Sequence, residues 1–268
     1  CRVLGTFWEI VPEARKKQFV TRIVSELAYD QAACGVRVAV FEGLTFVLDN
    51  HLSHQAMKRI LPALSNFIHD KSERVRSKFL DLLLQVKRIR DIRFYDIVPV
   101  DDLLERLSRD GGRPALAKKL TSLLVNSFFP AGQSVRERLS RATVLMDQNP
   151  AAAIAFYANL RQHVALPDIC SHVDALNKCA VKILKNMTKQ RRAEGSRKRG
   201  HDDEDDEHIP TAELKNHATR VLLLLHVIVA MWESIQKDLN KRSGAKAAAF
   251  LRATLAGDFC DDARSALA

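Results

Sequence analysis

An all-α fold of helix hairpins stacked side by side is what this 268-residue sequence predicts, and three observations predict it. Apolar residues recur at intervals of three and four along nearly the whole chain, while alternation of period two is hard to find. A Val-Arg pair, Val36-Arg37, returns as Val75-Arg76 with its arginine 39 residues on, and an aspartate precedes each, Asp30 and Asp70. That offset suits a two-helix repeat of about 40 residues. Composition agrees: 47% hydrophobic and 28% charged residues supply a core and fit neither low-complexity disorder nor collagen. One helical hairpin cannot hide its own apolar face, whereas stacked hairpins share a continuous core.

Cys1 to Ile10 reads as the tail of a helix. Because it opens directly on an apolar pattern (Val3, Leu4, Phe7, Trp8), the chain is expected to be a piece of something longer, with another hairpin before it. Pro12 fits a first helical turn, and Phe19, Ile23, Val24 and Leu27 give the next helix its apolar face up to Asp30. After a break near Gly35, the partner helix carries Val40, Phe41, Leu44, Val47 and Leu48, with Gly43 as an internal cost of about 1 kcal/mol relative to alanine. The pair recurs: Ser53 is placed to cap a helix bearing Ile60, Leu61, Leu64, Phe67 and Ile68, Asp70 and Ser72 mark the turn, and Val75 to Ile89 follows. A degraded third copy runs through Leu103, Leu104 and Leu107 to Asp110, then through Leu120, Leu123, Leu124 and Phe128, with Lys118 near the place of the arginine. Beyond Pro130, helices are expected at 135–146, 151–163 and 169–187 without a clear register.

Three segments follow: 1–188 as the stacked hairpins, 189–210 as a charged linker, and 211–268 as helices packing on the stack. In the linker, the basic clusters Lys189, Arg191, Arg192 and Arg197, Lys198, Arg199 precede an acidic block at 202–207. Opposed charge blocks without apolar anchors bury little, so mobility is expected. The clusters suit a nuclear-import signal or a phosphate-binding arm, with a plain solvated loop as the alternative. Phosphate on Ser196 would lower the local charge by about 1.5 to 2.

The excess of 42 Lys+Arg over 32 Asp+Glu permits attraction to nucleic acid or to an acidic protein without choosing between them. Five scattered cysteines with no CxxC pair argue for thiols in a reducing compartment. The strongly apolar run 221–232 is 12 residues long and includes His226, short of the about 20 that cross a bilayer, so a buried helix is expected there. No metal site is expected: His201 and His208 flank carboxylates without the spacing of a calcium loop, and Cys170, His172 and Cys179 do not share one helical face. Gly-rich phosphate loops, HExxH and GxSxG are missing, and Asp101, Asp102, Glu105 and Asp110 fit favourable helix-end charges, so a non-catalytic protein without cofactors is expected. Phe41, Phe67, Phe79, Phe156 and Tyr157 fall within the apolar periodicity and are assigned to the core.

Ile60-Leu61-Pro62-Ala63-Leu64, then Asp70 and Val75-Arg76, resemble a HEAT repeat, with proline in the first helix, aspartate between helices and Val-Arg in the second. The resemblance implies an α-solenoid and an inter-repeat ladder of Asp70 and Arg76, with Asp30 and Arg37 as the preceding rung. Along 75–89, Lys78, Asp81, Gln85 and Arg88 lie opposite the apolar face. Since second helices line the inner surface in HEAT proteins, Lys78, Arg88, Lys118 and Lys119 form a candidate stripe for a phosphate backbone, bound without sequence preference and sensitive to salt. Ordinary solvated faces are the alternative.

More closely, CRVLGTFWEI, VLDNHLSHQ, LPALSNFIHDKSERVR, RPALAKKLTSLLVNSFFP and NPAAAIAFY are similar to the G-type HEAT subunits of condensin II. That resemblance spans Cys1 to about Trp232. It implies a nuclear, chromosomal scaffold that binds the kleisin and the other condensin II subunits, including coiled-coil ATPases that supply the catalysis, and that contacts double-stranded DNA or chromatin in mitotic condensation and segregation. The alternative is a HEAT adaptor of nuclear-transport or phosphatase-regulatory type that binds peptides.

Overall fold

Apolar residues three and four apart place one side of each segment on a common face, and the chain coils accordingly. In a computed structural model, residues 2–197 and 210–255 are described, and every element among them is helical. The helices are α1 (Arg2–Thr6), α2 (Glu13–Ser25), α3 (Cys34–Leu48), α4 (His54–Ile60), α5 (Glu73–Val86), α6 (Phe94–Ile97), α7 (Val100–Asp110), α8 (Pro114–Phe128), α9 (Val135–Gln148), α10 (Pro150–Asn159), α11 (Leu166–Arg197), α12 (Pro210–Leu239) and α13 (Ala245–Leu255). Short 3-10 turns link several of them. The chain divides into two units, Cys1–Val125 and Asn126–Ala268.

In the first unit, α3 packs on α5, the second helices of successive hairpins. Phe41, Phe67 and Phe79 meet between them with ring centroids 5.1, 5.2 and 6.4 Å apart. Such tilted pairs add about 0.5–1.5 kcal/mol each beyond the area they bury. Tyr29 extends the cluster, 4.9 Å from Phe67, and its hydroxyl donates to the Ala63 carbonyl at 2.8 Å. At the other end α1 lies close against α3: a Cβ on Gly5 would stand 2.9 Å from the Phe46 ring, and the Asn50 amide donates to the Gly5 carbonyl at 3.1 Å.

Four departures from the sequence reading have local causes. The helix expected through residues 53–68 stops at Ile60 and tightens to a 3-10 stretch, Leu61–His69. Pro62 has no N–H to give, and its ring crowds the preceding turn. Ser53 does not cap α4; its hydroxyl turns back to the Val47 and Asn50 carbonyls at 2.8 Å each. Helix α6 has only four residues, too few for periodicity to show, and is pinned by buried Ile92, Phe94, Ile97 and Val98. Finally, the helix expected at 169–187 does not stop at 187 but continues to Arg197, since Lys, Arg and Gln are good helix formers and no proline intervenes.

In the second unit, α12 packs on α10 and α11. Asn149 caps α10, accepting the Ala152 amide at 3.0 Å, with Pro150 in the first turn where its missing N–H is harmless. Residues 215–239 form a helix long and apolar enough to cross a membrane, longer than the 12-residue run suggested. Here Val221, Leu224, Val227, Ile228, Met231 and Ile235 are buried within the unit, while Leu222 and Val229 are exposed.

Candidate functional site

The aspartates that end the first helix of each pair organise the turn locally. Asp30 Oδ1 accepts the Ala32 and Ala33 amides at 2.9 and 2.8 Å, and Asp70 Oδ1 accepts the Ser72 amide at 2.7 Å. A short acidic side chain takes up amides that the helix leaves unpaired. One turn further on, arginine reaches back and across. Arg37 donates to the Asp30 carbonyl at 2.6 Å, and its Nε and Nη2 fork grips the Asp70 carboxylate at 3.0 and 3.2 Å. Arg76 repeats the arrangement one hairpin later, donating to the Asp70 carbonyl at 2.8 Å and to Asp110 at 3.0 and 3.1 Å. Each arginine therefore joins its own turn to the aspartate of the following hairpin.

Asp110 receives more charge than the motif implies. Arg106 donates to it at 2.8 Å and Arg113 also pairs with it. Burial works to raise its pKa, but hydrogen bonds and charge from Arg106 and Arg76 outweigh this and hold the carboxyl below its ordinary value. The Asp110 side chain is 1% exposed and that of Arg76 6%. Removing either partner would strand a buried charge, a loss of about 3–5 kcal/mol, far above that of a surface pair.

The lysines expected to face a phosphate backbone have partners on neighbouring helices. Lys78 pairs with Glu42 at 2.9 Å, a hydrogen bond that raises the lysine pKa and lowers that of Glu42. Lys119 pairs with Asp81 at 2.7 Å and donates to the Ser77 hydroxyl and carbonyl at 2.7 and 3.1 Å. Gln85 donates to Asp49 at 2.8 Å, and Lys87 donates to the Ser122 carbonyl. This row links α3, α5 and α8 laterally. Arg88 and Lys118 are exposed.

Of the basic clusters, the backbone of Lys189, Arg191, Arg192 and Arg197 lies in α11. Lys198, Arg199 and the acidic block lie outside the described residues, as do the side chains of Arg191, Arg192 and Arg197. In the second unit, His172 spends Nε2 on the Tyr157 hydroxyl at 3.3 Å, and its pKa is pushed down to about 3 by burial and by Arg138. Burial likewise raises the pKa of Tyr157. Sequence inspection missed one convergence: side-chain donor atoms of His69, Asp102 and Glu105, of types able to bind a metal, lie within 4.8 Å of one another. Only the fold brings His69 to α7. Glu105 is also paired with Arg109 at 2.5 Å.

Curated proteins are similar to this sequence along most of its length. Condensin-2 complex subunit G2 of Mus musculus is 33% identical over 247 residues, which cover 92% of this chain and 21% of that protein. The chain is similar to one segment of condensin-2 complex subunit G2. The Homo sapiens subunit is 31% identical over 246 residues, again 92% of this chain and 21% of the relative, and that of Xenopus laevis is 32% identical over 256 residues, 92% and 22%. The G2-like chain thus spans about a fifth of the length of these relatives. No family model matches it, and no solved structure does.

The depressed pKa of Asp110 fixes a pH dependence for this G2-like chain. A carboxyl whose folded pKa lies below its unfolded value of about 3.9 stabilises the fold above that value and loses the contribution as pH falls through the folded pKa. Asp110→Asn is expected to lower unfolding free energy by about 3–5 kcal/mol at pH 7, with the gap from wild type narrowing below about pH 4. Urea denaturation between pH 2.5 and pH 7 checks this; a gap independent of pH would contradict it.

Proposed function

We propose that this chain is a scaffold segment of a condensin II G-type subunit. In this reading it works without catalysis in the nucleus, on chromosomes, where it presents surface to the kleisin and the other subunits during mitotic condensation and segregation. Similarity to condensin-2 G2 subunits along 92% of the chain carries the proposal and favours it over a peptide-binding adaptor of transport or phosphatase-regulatory type. The geometry supports it physically. Largely shielded arginine forks between hairpins resist shear, so residues far apart in sequence keep their spacing for a large partner.

Contact with double-stranded DNA belongs to the same reading, with Lys78, Arg88, Lys118 and Lys119 as the candidate residues. Lys78 and Lys119 also pair with Glu42 and Asp81, so their release would break links between helices.

Two outcomes are expected. When the tagged chain is co-expressed with the condensin II subunits, it recovers the kleisin. Assembly of the complex without it, together with no retention of any subunit, would refute the reading. In fluorescence anisotropy with duplex DNA over a salt series, Arg88→Ala with Lys118→Ala weakens binding and lowers the salt slope by roughly 2, whereas Lys78→Ala with Lys119→Ala lowers the melting temperature more than the affinity. Unchanged binding in the first variant would remove DNA contact from these residues.

A further inference from the structure

The stretch that joins α5 to α6 turns a row of cations and one aromatic ring outward. It reads Arg88-Ile89-Arg90-Asp91-Ile92-Arg93-Phe94-Tyr95, and buried Ile92 and Phe94 pin it to the core. With those anchors in place Arg88, Arg90, Arg93 and Tyr95 are exposed. These arginines differ from the ones that lock hairpins together. Arg37, Arg76 and Arg113 sit on carboxylates, whereas among the described residues Arg88, Arg90 and Arg93 form no ion pair. Asp91 and Asp96 lie in the same stretch without pairing to them. Lys87, just before, gives its ammonium to the Ser122 carbonyl, a neutral acceptor that leaves its charge uncompensated.

Tyr95 is 47% exposed, and its hydroxyl has no hydrogen-bond partner among the described residues. The Arg93 guanidinium stands over its ring, 5.8 Å from the centroid, and Phe94 meets it edge-on at 5.5 Å. The ring is thus steadied by a cation and by a core side chain while nearly half of its surface stays open. Recognition of a single strand requires this combination, an open aromatic ring beside cations. The aromatic residues legible from periodicity, Phe41, Phe67, Phe79, Phe156 and Tyr157, are all buried, so the sequence pattern did not display it.

We propose that the stretch between α5 and α6 binds single-stranded nucleic acid, with an unpaired base stacked on Tyr95 and the flanking phosphates held by Arg90 and Arg93. Tyr95 decides between the polyanions that three arginines could attract. A duplex keeps its bases stacked on one another inside the helix and has no free base face to lay on the ring, so it would use the arginines alone. An acidic peptide segment likewise satisfies the guanidinium groups but has no planar base for the ring. Only a single strand uses both features, because every base has a π-face and every linkage a phosphate. Guanidinium groups suit the second task, since their fork matches two phosphate oxygens at once. Ile92 and Phe94 matter indirectly: as buried anchors they keep Arg93 and Tyr95 facing solvent together. The inference goes beyond the condensin reading and does not rest on it. It shares only Arg88 with the duplex candidates, and its test uses Arg90, Arg93 and Tyr95.

Fluorescein-labelled oligothymidine and oligouridine, titrated in separate arms into the complete chain and followed by anisotropy over a salt series, tell DNA from RNA; saturable binding of either supports the site. Tyr95→Ala is expected to weaken that binding roughly tenfold, whereas Tyr95→Phe, which keeps the ring and drops the hydroxyl, retains it. Arg90→Ala with Arg93→Ala lowers the salt slope by about 1.4, the share of two phosphate contacts on a single strand. Thermal melts verify that each variant is folded. Labelled duplex DNA in a parallel arm separates this site from the duplex contact proposed above, because Tyr95→Ala leaves duplex affinity unchanged. Absence of saturable binding to both oligonucleotides overturns the proposal, as does equal loss in Tyr95→Phe and Tyr95→Ala, or an equal effect of Tyr95→Ala on duplex. Displacement by polyglutamate as effective as by unlabelled oligothymidine also overturns it, in favour of an acidic peptide.

Discussion

A guanidinium cannot discard its proton when it is buried, so Arg76 must find acceptors wherever the fold puts it. It finds them on two hairpins at once: the Asp70 carbonyl of its own turn and the Asp110 carboxylate of the next. The two demands are met together only when neighbouring hairpins are in one register. Apolar burial alone does not impose this, because the hydrophobic effect is non-directional and tolerates sliding of one greasy face over another. Arg37 imposes the same condition one step earlier, with the Asp30 carbonyl and the Asp70 carboxylate as its acceptors. The aromatic cluster of Phe41, Phe67 and Phe79 supplies burial between the same elements, and the arginines decide how those elements are placed.

A second consequence concerns charge. The chain has ten more cations than anions by formula, but in the first unit several cations are turned to internal work. Arg37, Arg76, Arg106 and Arg113 converge on two aspartates, and Lys78 and Lys119 lace α5 to its neighbours. A count of its lysines and arginines therefore overstates the cations this unit leaves for a polyanion. Side chains that fix helix spacing in this way are partly withdrawn from contact with other molecules.

The sequence already displayed what depends on local pattern. Apolar periodicity located the faces of α3, α5, α7 and α8, and the Val-Arg pairs together with Asp30 and Asp70 marked the turns. What it hid depends on tertiary neighbours. A helical wheel puts Lys78 opposite the core but says nothing of Glu42 on another helix 2.9 Å away. Asp110 looked like a helix-end charge in a degraded copy, since its donor Arg76 lies 34 residues earlier and Arg113 replaces no recognised motif residue. Pro62 was read as a repeat marker, although its missing N–H also converts the following turns to 3-10 geometry. Where charge composition suggested a linker from 189, helix propensity carries α11 to Arg197.

If arginine forks set the register between hairpins, the two partners of a fork must be energetically coupled. A double-mutant cycle on Arg37→Met and Asp70→Asn, followed by urea denaturation at pH 7, measures that coupling directly. A favourable interaction above about 1 kcal/mol is expected, because both groups are largely shielded and joined by two bonds. Additive losses, with coupling indistinguishable from zero, would mean that apolar packing alone aligns the hairpins and that the forks are passengers.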